Sequence, residues 1–225
     1  MTANWPYQAV VFDLDGTLID TEHLWDEVRR GLAAQDGVAW PEPATTAMMG
    51  MSTVEWSTYL AETVGVHGAP EAAARRTIDG MLAHYRSGVD ILPGVLAAVR
   101  RMAALGPVGI ASSSPRELIE QGVRTMGIAD LVDVVVSTEE VGRGKPAPDG
   151  YLRCCELLGV DAARCLAFED SSNGIRSALA AGMTTVAVPP HFHAPSAEVL
   201  QQCHLVLAGL DQLDEDRLAA LRPAA

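Results

Sequence analysis

The chain has a single lysine, Lys145, against 15 arginines. Positive charge is scarce altogether: 16 Lys and Arg face 29 Asp and Glu, a net charge of −13 over 225 residues. This argues against sequence-independent nucleic-acid binding, which needs clustered cations, and there is no polybasic stretch for anionic lipid. No run approaches the ~20 apolar residues of a membrane helix. The N-terminal MTANWPYQAV lacks the basic and long apolar regions of a secretory signal. Cysteines are few, Cys154, Cys155, Cys165 and Cys203, with no CxxC spacing. Reduced, packed thiols in a cytoplasmic protein are the expectation, with neither disulfides nor zinc.

What is present is a globular composition, 48% apolar, in a chain long enough for one good core. Apolar runs with strand character occur at Gln8–Leu14, Pro107–Ser113, Val132–Ser137, Cys165–Glu169 and Thr184–Val188. Most are nearly continuous in Val, Ile, Leu and Ala, as suits parallel strands covered on both faces. Helical patterns separate the last four: Arg116–Met126 before Gly127, Gly150–Leu158 before Gly159, and Gly174–Ala181 before Gly182. The alternation predicts a doubly wound, Rossmann-like α/β fold. No convincing strand lies between Leu14 and Pro107, although Pro93–Leu105 suits a crossover helix. The surplus is helical, with Leu24, Trp25, Val28 and Leu32 on one face and further helices at Val54–Val64 and Ala69–Tyr85. Connections in such folds are short. The expected organisation is therefore an α/β core of residues 1–20 and 89–225 and an inserted helical domain of residues 21–88. The Ala-rich tail Leu218–Ala225 is expected to fray.

Polar residues suited to chemistry fall at or beyond four strand ends: Asp13 with Asp15, Ser112 with Ser113, Lys145, and Glu169 with Asp170. In open α/β sheets, ligands bind outside those carboxyl ends. DLDGT is not an EF-hand loop, because the positions that require Gly and Glu hold Leu18 and Leu24. A nucleotide-metal D-x-D would not by itself need the downstream Lys or the Glu-Asp pair. Carboxylates crowded near Asp170 call for a cation between them. Mg²⁺ suits, since it uses one or two carboxylates and accepts a phosphate oxygen. A carboxylate can also attack phosphorus, and a second can protonate the leaving oxygen and later activate water. Ser114-Pro115-Arg116-Glu117 looks like a helix cap, which puts donor N–H groups beside Ser112. The lone lysine suggests a site too tight for a guanidinium. His191 and His193 have metal-like spacing in what looks like a loop, and Met48, Met49 and Met51 would suit packing or an adaptable apolar pocket.

With DLDGT, SSSP, GKPAPD and FEDSSNGIRSALAAGM in that order, residues from about Ala9 to Pro190 resemble the haloacid dehalogenase superfamily, in its phosphatase and beta-phosphoglucomutase group with a helical cap. The resemblance implies Asp13 as nucleophile and Asp15 as general acid and base. It implies Ser112, Ser113 and Lys145 on the transferring phosphoryl group, and a Mg²⁺ site of Asp13, Asp15 through its backbone carbonyl, and Asp170, with Glu169 nearby. Gly50 and Ser52 would meet substrate from the cap. DTEHLW is more like sugar- and polyol-phosphate phosphatases than the mutase, which has a His near Trp25 and a cap Arg after Gly-x-Ser; here that stretch is Gly50-Met51-Ser52-Thr53. The expectation is a Mg²⁺-dependent phosphatase of small sugar or polyol phosphate esters, with oligomeric state left open. The alternatives are a hexose-phosphate mutase, a dehalogenase, and a non-catalytic sugar-phosphate binder. The segment Met48–Glu62 holds no Lys or Arg, so a second phosphate would need Arg75 or Arg76 to fold back.

Overall fold

The computed structural model describes residues 5–48, 51–190 and 194–221. Six parallel strands form one sheet: β1 (Ala9–Phe12), β4 (Val108–Ser112), β5 (Val134–Ser137), β6 (Cys165–Glu169), β7 (Thr184–Ala187) and β8 (Leu205–Val206), in the spatial order β5-β4-β1-β6-β7-β8. The first strand sits in the middle, with Val10 registered to Val108 on one side and Leu166 on the other. Its alternation divides the protein into two cores. Val10 and Phe12 face one with α5 (Val95–Ala103) and α6 (Arg116–Thr125), while Ala9 and Val11 face the other with α7 (Asp149–Leu158) and α8 (Ser172–Ala180). Phe12 and Phe168 stack across neighbouring strands, their centroids 4.9 Å apart. Burial on both faces is why these strands read as continuous apolar runs.

The segment between Leu14 and Val108 does contain strand, contrary to expectation. Two-residue β2 (Ile19–Asp20) and β3 (Asp90–Ile91) pair antiparallel; two residues are too few to show a period of two. Between them run α1 (Glu22–Gln35), α2 (Ala44–Met48), α3 (Thr53–Thr58), a π-turn over Tyr59–Val64, and α4 (Pro70–Ser87). Trp25 and Trp56 join α1 to α3, their rings 5.8 Å apart. Helix α4 packs on α1 and α3 and also on α6, where Arg75 pairs with Glu117 at 2.5 Å.

Two further expectations are corrected, and one strand goes beyond those expected. Strand β8 extends the sheet edge and was not legible, being two residues long. The final segment is not wholly frayed: α9 (Ala197–Leu200) is followed by α10 (Glu215–Leu221), which buries Leu218 completely, and Arg101 binds Glu215 at 2.7 Å. Ser114 does not cap α6; Pro115 occupies that position with no side-chain cap. Met49, Gly50, His191, Phe192 and His193 lie outside the described residues.

Candidate active site

Every chemically suspect strand end lies on the same edge of the sheet. β1 is followed directly by Asp13, whose N–H donates to Phe168 O at 3.0 Å. The chain then turns at Gly16, where φ is +88° and an added Cβ would lie 2.2 Å from Asp170 Oδ2. Glycine is required there on both counts: the left-handed backbone and the close approach of a carboxylate. β4 delivers Ser112, and β6 delivers Glu169 and then Asp170. Lys145 comes from the loop after β5, and its side chain is only 6% exposed.

Lys145 Nζ donates to Asp13 Oδ1 at 2.5 Å and Glu169 Oε1 at 2.6 Å. Tyr151, from α7, donates to the same Glu169 oxygen at 3.0 Å. Glu169 Oε2 accepts from the backbone N–H groups of Asp170 and Ser171 and from Ser171 Oγ, at 3.0 to 3.1 Å. Both Glu169 oxygens are thus occupied by donors, and the residue clamps Lys145. Oxygens of Asp13, Glu169 and Asp170 lie within 4.8 Å of one another, all three buried. When all three are ionised, three carboxylates around one ammonium leave an excess of two negative charges, a repulsion that adds to burial in raising two of them. Burial raises the Asp13 carboxyl to about 7 against the pull of Lys145, with Glu169 adding repulsion. Burial and then the Glu169 and Asp13 charges raise Asp170 as well. Burial lowers Lys145, but its two carboxylate partners outweigh that and hold it above its ordinary value. An oxygen-rich, buried, acidic cluster fits a hard divalent cation.

Asp15 is held differently. Thr21 Oγ1 (2.6 Å) and Tyr85 Oη (2.9 Å) donate to its Oδ1, and Ser114 Oγ (2.7 Å) and Ser112 Oγ (3.3 Å) to its Oδ2. Ser112 Oγ also accepts from Ser114 N–H at 3.0 Å. Four hydroxyl donors fix the Asp15 carboxylate in direction. The cavity bounded by Asp13, Asp15, Ser112, Ser113, Lys145 and Asp170 has a volume of about 170 Å³. An adjoining cavity of about 790 Å³ shares Asp15, Glu22, Asp170 and Ser171 with it.

Residues 7–182 match the family described as haloacid dehalogenase-like hydrolase. The chain belongs to that family. It is 33% identical to hexitol phosphatase B of Escherichia coli (strain K12) over 195 residues, covering 84% of this chain and 85% of the relative. To the fructose-1-phosphate phosphatase of the same organism it is 30% identical, covering 81% and 96% of the two chains. The beta-phosphoglucomutase of Clostridium difficile shares its fold at a TM-score of 0.80 and 23% identity, each chain covered to 96%. With curated phosphatases as relatives, this haloacid dehalogenase-like hydrolase is an enzyme of the phosphoric monoester hydrolase class.

Helices between β2 and β3 line the rest of the smaller cavity. Trp25, Arg29, Met48, Met51, Thr53 and Trp56 complete the smaller cavity. Ser52 does not join them. Its hydroxyl donates to Glu55 Oε2 at 2.7 Å and accepts from Glu55 N–H at 3.4 Å, the reciprocal cap of α3. Gly50 is outside the described residues. Arg75 and Arg76 line neither cavity; Arg75 is bound to Glu117 and Asp79, and Arg76 to Asp36. Sequence reasoning missed Thr21, Tyr85 and Ser114 on Asp15, Tyr151 on Glu169, and Arg29. Only Ser114, inside the SSSP motif, carried a signal, and it was read as a cap. Of the cysteines, Cys154, Cys155 and Cys165 are buried and all four are free. No helix among the described residues is long and apolar enough to cross a membrane.

Proposed function

We propose that this hydrolase is a Mg²⁺-dependent phosphatase of small sugar or polyol phosphates that works through an aspartyl-phosphate on Asp13. The observation that carries the reading is the Asp13–Lys145–Glu169 triad beside Asp170, three buried carboxylates gathered around one ammonium. The substrate class follows what the relatives named above act on. Asp13, Asp170 and the backbone carbonyl of Asp15 are the groups that would hold Mg²⁺, leaving Glu169 to its donors. Bound there, Mg²⁺ would neutralise charge on the carboxylates and the phosphoryl oxygens.

Asp13 supplies the oxygen that bonds to phosphorus as the ester C–O–P oxygen departs, and Asp15 gives that oxygen its proton. Asp15 then takes a proton from water as water attacks the aspartyl-phosphate, which frees Asp13 and inorganic phosphate. Lys145 and Ser112 steady the equatorial oxygens, where charge grows. The helical insert acts as a cap that covers the leaving alcohol and excludes bulk water. Hydrolysis is favoured over isomerisation because neither Arg75 nor Arg76 is available for a second phosphate.

The test is phosphate release from a panel of sugar and polyol monophosphates, with Mg²⁺ and with chelator. Activity is expected only with Mg²⁺, and Asp13→Asn is expected to abolish it with the fold retained. Substantial turnover by folded Asp13→Asn would sink the covalent mechanism. Faster formation of glucose 6-phosphate from beta-glucose 1-phosphate than release of phosphate would make the enzyme a mutase.

A further inference from the structure

The two cavities that meet at the active site differ in charge. The smaller holds two cations, Lys145 and Arg29, with the hydroxyl groups of Ser112, Ser113 and Ser114. The larger has no Lys, Arg or His among the described residues of its wall, and has Asp15, Asp20, Asp170 and Asp211. Three of these acids are graded by depth. Asp211 is exposed, the Asp20 side chain is 41% exposed with His23 Nδ1 3.6 Å from its Oδ1, and Asp170 is buried. Much of the remaining wall is apolar, from Leu92, Pro93, Val188, Pro189 and Leu210. A cleft of one charge sign with low-dielectric walls focuses its field and concentrates counter-ions within it. At its buried end stands Asp170, one of the three carboxylates gathered beside Lys145.

We infer that the larger cavity is the route by which the divalent cation reaches and leaves Asp170, separate from the smaller cavity that takes the phosphate ester. The inference rests on the Mg²⁺-dependent reading above and assigns Asp20 and Asp211 to it as steering residues. Oppositely charged reactants then approach the same carboxylates from different sides. Mg²⁺ sheds its water reluctantly, so a hydrated cation needs the roomier entrance, about 790 Å³ against about 170 Å³. Entry through the smaller cavity would lead past the Arg29 guanidinium, which lies 4.9 Å from the centres of the Trp25 and Trp56 rings, and past Lys145. Separate routes also let the cation exchange while an ester fills the smaller cavity.

The probe is Mn²⁺ alone, with the full chain and no substrate. Electron paramagnetic resonance of free Mn²⁺ gives Kd. Stopped-flow quenching of tryptophan fluorescence gives the association rate, since Trp25 and Trp56 line the adjoining cavity, and displacement by chelator gives the release rate. Asp20→Asn combined with Asp211→Asn is expected to slow association about fivefold and to flatten its dependence on ionic strength. Thr46→Trp and Ala208→Trp narrow the larger cavity from exposed positions, one on the insert and one on the core; either serves if the other does not fold. Each is expected to slow association and release by the same factor, about tenfold, with Kd unchanged, because a barrier on a path alters both rates and not the equilibrium. Thr53→Trp narrows the smaller cavity and is expected to leave the Mn²⁺ rates at wild-type values. The route is overturned if Thr53→Trp slows Mn²⁺ while Thr46→Trp and Ala208→Trp do not, or if none of the three changes the rates. A weakened Kd with unchanged association in Thr46→Trp and Ala208→Trp would also overturn it, by making the cavity part of the binding site. If Mn²⁺ does not bind, the metal reading falls and the route with it. The expected rate changes without phosphate release from any monophosphate would support the route and remove the phosphatase reading alone.

Discussion

Replacing Lys145 by Arg keeps the charge and is expected to fail almost as badly as Lys145→Ala. The ammonium sits 2.5 Å from Asp13 and 2.6 Å from Glu169, its side chain 6% exposed, and 5.2 Å from the centre of the Tyr151 ring. A guanidinium carries its nitrogens on a plane wider than one nitrogen atom, so it cannot occupy that point without pushing Glu169 off the donors of Asp170 and Ser171. Loss of one preorganised contact to developing charge costs on the order of 3 kcal/mol, about a hundredfold in rate. Lys145→Ala carries a second penalty. It leaves Asp13, Glu169 and Asp170 buried with no cation, and breaking one partner of a buried pair costs about 3–5 kcal/mol. Measured with saturating Mg²⁺, kcat on the preferred substrate is expected to fall at least about a hundredfold in both variants. Thermal unfolding without metal should show Lys145→Ala as clearly destabilised. An Arg variant with near-wild-type kcat would show that Lys145 provides only charge, and the argument from its geometry would be wrong.

Two further outcomes are expected. Tyr85 is fully buried and donates to Asp15 from 70 residues away; Tyr85→Phe keeps the packing and removes one orienting donor, so kcat should fall about tenfold with KM nearly unchanged, and an unchanged kcat would remove Tyr85 from the site. Asp36 is lowered from 3.8 to about 2, first by the Arg76 hydrogen bonds and then by the His67 N–H. A depressed carboxyl stabilises the fold above its unfolded value and loses that contribution as pH falls toward 2. In acid titrations followed by circular dichroism, Asp36→Asn should therefore be less stable than wild type near neutrality, with the difference closing between about pH 4 and pH 2; a gap that persists to pH 2 would refute the link.

Patterns with a short repeat were legible along the chain. Val10-Val11-Phe12, Val108–Ser112 and Leu166-Ala167-Phe168 read as buried strands because parallel strands covered on both faces need apolar residues at every position. The glycines after α6, α7 and α8 marked helix ends because a left-handed residue is favoured there. The four motifs at strand ends were legible because their residues are adjacent in sequence. The lone Lys145 was conspicuous against 15 arginines. Two-residue β2, β3 and β8 carry no measurable period, and Leu218 needs the packed core to show why an Ala-rich tail is held.

Tertiary structure decided what each polar group does. Ser114 reads locally as a cap, yet folding brings Asp15 within 2.7 Å and the hydroxyl serves the carboxylate instead. Ser52, in turn, closes the reciprocal cap of α3. Glu169 became the clamp on Lys145 only when Tyr151, Ser171 and the backbone were seen to fill its oxygens. Arg29 looked like one arginine among many on an amphipathic helix until Trp25 and Trp56 closed over it. The physical reason is one of range. Periodicity records which face of an element is buried, whereas a hydrogen bond between residues 70 or more positions apart exists only after the elements have packed.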